Sequence, residues 1–271
     1  MIRKLVKILF AIACLLVFFY VNNHWLTVSN HTVESPDIPS SFDGYRIVQI
    51  SDLHDAKFGE NQQHLVNKIQ QQKPDMIVIT GDLIDSNRYD LPNSLALIDQ
   101  IVKLSEVYYV TGNHEVATND VEHIKDELTA RGVRVLSNET LNITRNGKSI
   151  SLTGIDDPLM GATAGEMINS SHVPDDVYSI LLAHRPEDFK AYINAGIDLT
   201  FSGHAHGGQF RIPFVGGFVA PGQGYFPKYT AGIHQQGKSK LVVSRGLGNS
   251  IIPIRLFNLP EIIVVTLKSD E

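Results

Sequence analysis

Five short apolar runs between Arg46 and Ser202 each lead directly into a residue that can bind a metal, and this repetition constrains the fold more than any other feature of the chain. Arg46-Ile47-Val48-Gln49-Ile50 runs into Ser51-Asp52-Leu53-His54. Met76 to Thr80 runs into Gly81-Asp82. Val107 to Thr111 runs into Gly112-Asn113-His114-Glu115. Tyr178 to Ala183 precedes His184, and Leu199 to Ser202 precedes Gly203-His204-Ala205-His206. Runs of this length, rich in β-branched and aromatic residues, read as buried strands. The first three alternate with helical patterns at His64 to Gln72, Asn93 to Leu104 and Asp120 to Arg131, stopped near Pro74 and Gly132. Such alternation predicts an α/β core with parallel strands, whose sites form just past the carboxyl ends of the strands.

The second half is richer in hairpins. Leu141 to Thr144 and Ser149 to Thr153 flank Asn146-Gly147, and Tyr229 to His234 and Lys240 to Ser244 flank Gly237. Asn-Gly between two β-prone runs is a strong hairpin signal. Glu187 to Ala195 reads as a further helix and Glu261 to Leu267 as a closing strand. No repeat or low-complexity tract interrupts residues 42–268, so one domain with two sheets is expected.

The N-terminus differs in character. Leu5 to Val21 is apolar apart from Lys7, with Arg3 and Lys4 ahead of it and no further Lys or Arg until Arg46. The run is somewhat short against the ~20 residues of a bilayer span. The positive-inside rule places the N-terminus in the cytoplasm and the rest outside. No small-x-small cleavage site follows, so an uncleaved anchor over residues 1–28 is the reading, with a cleaved export signal as the alternative. Residues 29–41, with Pro36 and Pro39, are expected as a linker, and 42–271 as the catalytic domain.

The formal net charge is −6, which argues against nucleic acid as a partner. The single cysteine, Cys14, excludes an internal disulfide and a thiolate metal site. A metal must therefore be held by histidine, carboxylate, amide and water. Taken singly, Asp52, Asp82, Asn113-His114 or His184 could each be a turn or helix-cap residue. Together they offer imidazole and carboxylate, a donor set suited to Zn²⁺, Mn²⁺ or Fe. Neither turns nor caps require the His204/His206 pair. Residues i and i+2 of an extended backbone face the same way, so both imidazoles enter one site.

The ordered set Asp52-x-His54, Gly81-Asp82, Gly112-Asn113-His114-Glu115, His184 and Gly203-His204-x-His206 resembles the calcineurin-like metallophosphoesterases. Gly207-Gly208-Gln209-Phe210-Arg211-Ile212-Pro213 and Ser244-Arg245-Gly246-Leu247-Gly248 look like a bacterial, membrane-anchored branch of that family whose members include phosphodiesterases. The resemblance implies a four-layer αββα sandwich carrying two divalent metals. One metal would take Asp52, His54, Asp82 and His206, and the other Asp82, Asn113, His184 and His204, with Asp82 bridging. His114 would act on the leaving oxygen without binding metal. The implied activity is hydrolysis of a phosphoester, most simply a diester, outside the cytoplasmic membrane. A lipid or cell-envelope component is the expected substrate class, because residues 210–226 are apolar and glycine-rich beside an anchor. A phosphomonoesterase or a non-catalytic metal-binding surface protein are the alternatives. Asp55, Asp85 and Glu115 are candidates for orienting ligand histidines, and Arg211 and Arg245 for meeting phosphate.

Overall fold

The computed structural model describes residues 2–250 and 252–270. Helix α1 (Ile2–His24) is followed after two residues by strand β1 (Thr27–Ser35). The first half then alternates β2 (Arg46–Ile50), α2 (Gln63–Gln71), β3 (Met76–Thr80), α3 (Leu91–Ile101), β4 (Glu106–Val110), α4 (Asn113–Ala117), α5 (Val121–Ala130) and β5 (Arg134–Val135). Next come β6 (Glu139–Arg145), β7 (Lys148–Gly154), α6 (Ala164–Ser170), β8 (Ser179–Leu182), α7 (Phe189–Asn194) and β9 (Leu199–Ser202). Two short ribbons follow: β10 (Arg211–Ile212) with β11 (Gly216–Gly217), and β12 (Val219–Ala220) with β13 (Gly224–Tyr225). The fold closes with β14 (Gly232–Gln236), β15 (Ser239–Val243) and β16 (Glu261–Ser269).

Two six-stranded sheets carry the architecture, ordered β1-β16-β2-β3-β4-β5 and β14-β15-β9-β8-β7-β6. The inner strands β2 to β5 and β7 to β9 are parallel, and β6, β14 and β16 supply the antiparallel pairings. Their apolar runs are continuous because both faces are covered. In β3, Ile77 and Ile79 pack beneath α2, α3 and α5, while Met76 and Val78 face the other sheet. In β8, Ile180 and Leu182 join that inter-sheet core, and Leu181 packs with α6 and α7 residues such as Met167 and Tyr192. Three apolar layers thus separate four structural ones, the αββα sandwich. One polar link crosses the middle: buried Gln49 donates to Thr80 Oγ1 and to the Ser202 carbonyl, both at 2.9 Å, and ties the ends of β2, β3 and β9 together.

The linker expectation is corrected at residues 29–35. Those residues lie in β1, which pairs in parallel with β16 over its whole length. The strand sits at the sheet edge and only Val33 is buried, so the sequence shows neither an apolar run nor a clean alternation. Its pairing is a backbone property that composition does not reveal. Helix α1 is long and apolar enough to cross a bilayer, and nearly all its side chains are exposed. Its last turn is tied to the domain: Asn23 Oδ1 accepts from Asn249 Nδ2 at 2.9 Å and from the Arg255 amide at 3.1 Å.

Candidate metal centre

The carboxyl ends of β2, β3, β4, β8 and β9 converge, so the five loops named by the sequence meet at one point. Close approach requires glycine there. A Cβ on Gly112 would collide with the Asp82 carboxylate, and one on Gly203 with the Ser51 hydroxyl and the Asp52 carboxylate. Five of the candidate residues, Asp52, His54, Asp82, His204 and His206, adopt left-handed φ between 47° and 63°. Non-glycine residues hold that conformation at a cost of roughly 1–3 kcal/mol each, and such strain clusters at functional sites. Here it turns each side chain sharply inward from the strand end.

The side chains form two clusters that share one atom. In the first, His206 Nε2 lies 3.3 Å from Asp52 Oδ1 and 3.1 Å from His54 Nε2, and His54 Nε2 lies 3.6 Å from Asp82 Oδ2. In the second, His184 Nε2 lies 3.3 Å from Asp82 Oδ2, 3.1 Å from Asn113 Oδ1 and 3.1 Å from His204 Nδ1. Asp82 Oδ2 faces both. All seven residues singled out as ligands from the sequence are thus brought together.

These donors suit divalent cations. Burial holds the His54 imidazole down to about 3 and those of His204 and His206 well below their usual range, which keeps them neutral with lone pairs available. Burial opposes charge on His184 too, but the adjacent Asp82 carboxylate outweighs it and pushes His184 up to about 10, with Asp82 correspondingly low. His184 Nδ1 donates to the Thr80 carbonyl at 2.8 Å, which aims Nε2 at the cluster. Burial, reinforced by the neighbouring Asp82 charge against the opposing pull of His184, raises Asp52 to about 6, and its Oδ2 is buried without a hydrogen-bond partner. A carboxylate left so is a group that a cation would satisfy. Two nitrogen- and oxygen-lined clusters with a shared carboxylate oxygen fit a dinuclear divalent centre.

His114 stands beside the first cluster, its ring edge-on to His54 with centroids 4.4 Å apart. Its Nδ1 accepts from the Ser86 amide at 3.1 Å, and its Nε2 lies 3.1 Å from Ser250 Oγ. A backbone N–H only donates, so the neutral ring carries its proton on Nε2. Ser86 and Ser250 were not signalled by the sequence: neither belongs to a motif, and Ser250 comes from a remote loop.

The three carboxylates expected to orient ligand histidines do other work. Glu115 accepts from the amides of Asp82 (2.9 Å), Leu83 (2.6 Å), Ile84 (3.3 Å) and Gly112 (2.7 Å), pinning the β3 and β4 loops together. Asp55 accepts from the amides of Asp85 and Asp90 and from Ser94 Oγ. Asp85 binds Arg88 and lies 3.7 Å from His114 Nδ1. The two arginines are also occupied: Arg211 donates to the Gly207 carbonyl, and Arg245 pairs with Glu261 at 3.0 Å. The buried arginine at the site is Arg255, which donates to the carbonyls of Arg245 and Gly248 and so supports the glycine loop packed on Asp52.

The sequence relatives agree with this geometry. The calcineurin-like phosphoesterase family model matches residues 45–208. The uncharacterized metallophosphoesterase YkuE of Bacillus subtilis (strain 168) is 35% identical over 257 residues, 92% of this chain and 88% of that protein. Phosphodiesterase YaeI of Escherichia coli (strain K12) is 29% identical over 231 residues, 82% of each. Among solved structures, TT1561 of Thermus thermophilus shares the fold, with a TM-score of 0.52 at 12% identity over 75% of this chain and 90% of that one. Sequence motifs, sandwich and paired clusters of candidate metal ligands lead to one assignment: the chain belongs to the calcineurin-like metallophosphoesterases, a family of metal-dependent phosphoester hydrolases.

Proposed function

We propose that the protein is a dinuclear-metal phosphodiesterase, anchored by α1 with its catalytic domain outside the cytoplasmic membrane, acting on a lipid or cell-envelope phosphodiester. The observation that carries the dinuclear reading is Asp82 Oδ2, which faces His54 on one side and His184 on the other. Asp52, His54, Asp82 and His206 would hold one metal, and Asp82, Asn113, His184 and His204 the other. Mn²⁺, Zn²⁺ or Fe suits that donor set. When bound, such a pair activates water and neutralises phosphoryl charge.

The chain's own residues do the rest. Asn113 contributes a neutral amide oxygen, which limits negative charge facing an anionic substrate. His114 presents Nε2–H at the edge of the first cluster, where Ser250 Oγ now accepts it. A leaving-group oxygen replacing that hydroxyl would receive the same hydrogen bond, the role of a general acid or electrostatic stabiliser. The Ser86 amide fixes the tautomer that makes this possible. The diester preference rests on the likeness to phosphodiesterase YaeI, and the topology on Arg3, Lys4 and Lys7 at the start of the helix.

The test strips the detergent-solubilised full chain of metal, reloads it with Mn²⁺ or Zn²⁺, and compares bis-p-nitrophenyl phosphate with p-nitrophenyl phosphate, using Asp82→Asn as control. Faster metal-dependent diester cleavage, absent in the control, is expected. Dominant monoester cleavage would make it a phosphatase, and bound metal without turnover on either would make it a non-catalytic metal-binding surface protein.

A further inference from the structure

Outside α1, large exposed apolar side chains among the described residues concentrate on two loops, residues 210–226 and 252–258. Phe214 is fully exposed and Val215, Phe226 and Phe257 are more than half exposed. Phe214, Phe226 and Phe257 also hold left-handed φ of 68°, 53° and 52°. Aromatic residues rarely adopt that conformation, and here all three remain more than half exposed.

The loops form one surface. Phe210 and Leu256 make a parallel bridge, and Gln209 donates to the carbonyls of Ile252 and Ile254. That surface continues from α1: Phe257 packs edge-on against Phe18 at 5.3 Å, and Asn23 is bonded to Asn249 and Arg255. Residues 212–227 contain no charged side chain, while Arg211 and Lys228 flank them. An apolar tip bordered by basic residues is the pattern of an interfacial membrane contact. Beside it lies a cleft of about 240 Å³ lined by Val219, Ala220, Pro221 and Ile252, which reaches His206 of the first metal cluster and Ser250 beside His114.

We propose that these two loops form an apolar collar that docks on the outer leaflet of the bilayer entered by α1, so that the catalytic cleft opens against lipid. The inference rests on the anchor reading given under Proposed function, and stands independently of that reading's choice of diester. The occupant is the bilayer rather than another protein because the surface begins at the helix that enters it. A substrate with an acyl or polyprenyl chain could then keep that chain in the leaflet, or in the apolar cleft, while its phosphoester reaches the metals.

Trp25, the chain's single tryptophan, sits at the end of α1 and makes the test direct. Full-length protein is reconstituted in phosphatidylcholine vesicles with or without brominated acyl chains. The native chain reports the anchor through Trp25. Phe214→Trp in a Trp25→Phe background reports the collar, and Lys148→Trp in the same background, on the exposed hairpin at the opposite strand ends, is the control. The expected result is blue-shifted, bromolipid-quenched emission from Trp25 and from the Phe214→Trp variant, with none from the control. Quenching of Trp25 while the Phe214→Trp variant emits as in water would overturn the collar and leave the anchor standing. Blue-shifted emission at that position without quenching would overturn it in favour of a contact with a second copy. Loss of quenching at both positions would remove the anchor reading and the collar together. Fluorescence is read without turnover, so failure of the diesterase reading does not affect this test.

Discussion

Glu115→Gln isolates the part of the site that holds its loops in place. The Glu115 carboxylate receives four backbone N–H groups, two on each oxygen: Asp82 and Gly112 on Oε2, Leu83 and Ile84 on Oε1. Glutamine matches the shape but turns one acceptor into a donor. Whichever oxygen is replaced, an NH₂ group then faces two buried N–H groups that have no water to turn to. A hydrogen bond to a charged group is worth about 1.5–3 kcal/mol, so losing two costs roughly 3–6 kcal/mol before any loop movement. For a domain of this size each kcal/mol lowers Tm by about 2–4 °C, so that loss alone corresponds to a fall on the order of 10–20 °C. Burial, aided by the Asp82 charge, pushes Glu115 up to about 7, so near pH 8.5 the ionised side chain carries roughly 3 kcal/mol of burial cost that a neutral amide avoids, and the net fall in Tm is on the order of 0–10 °C. The assay is thermal unfolding of metal-free, detergent-solubilised chain, followed by metal content after reloading. Weaker metal retention is expected as well, because the same bonds hold Asp82 in its left-handed conformation. A variant that retains both metals as tightly as the native protein would refute the claim that this carboxylate pins the two loops.

His114→Ala keeps both metals but loses about 10²-fold or more in rate, most on esters with poor leaving groups, as compared by turnover of alkyl and aryl diesters. Full activity on alkyl esters would remove His114 from the leaving-group role. Gly203→Ala drives a methyl into Asp52 and Ser51 while leaving β9 intact, so near-native circular dichroism with lost metal is expected. Native-level metal content in that variant would contradict the close packing described here. Metal binding near pH 7 releases about one proton from His184, because its metal-free side chain, raised to about 10, is charged and must free Nε2. Affinity therefore rises with pH through the neutral range. Calorimetry in two buffers of different ionisation enthalpy checks this, and identical heats would contradict it.

The candidate ligand set was legible because each member follows an apolar run. Strands covered on both faces are continuous in sequence, and the next residue lies at the site by geometry. β1 was hidden for the opposite reason: an edge strand with only Val33 buried needs no apolar pattern. The work of Glu115 was hidden because its partners are main-chain amides, which every residue but proline carries. Ser86 and Ser250 were hidden because their bonds to His114 join loops that only the folded chain brings together. The bonds of Arg211 and Arg245 were hidden because a guanidinium that braces carbonyls or a carboxylate reads in sequence like one that binds phosphate.

The edge position of β1 bears on how the molecule is made. Among the described residues β1 has a single strand neighbour, β16, which lies in sequence on the far side of the whole catalytic fold. Only Trp25 and Leu26 separate β1 from α1. β1 is synthesised well before β16 and therefore has no pairing partner until β16 has followed it. Under the anchor reading proposed above, it would wait unpaired beside the membrane until then. A soluble fragment begun at residue 30 would start inside this strand and remove part of the seam that joins the two ends of the sheet. The same seam leaves no slack for a swinging leash: with α1 anchored as proposed, the domain would be mounted on its helix and its search for substrate would become two-dimensional.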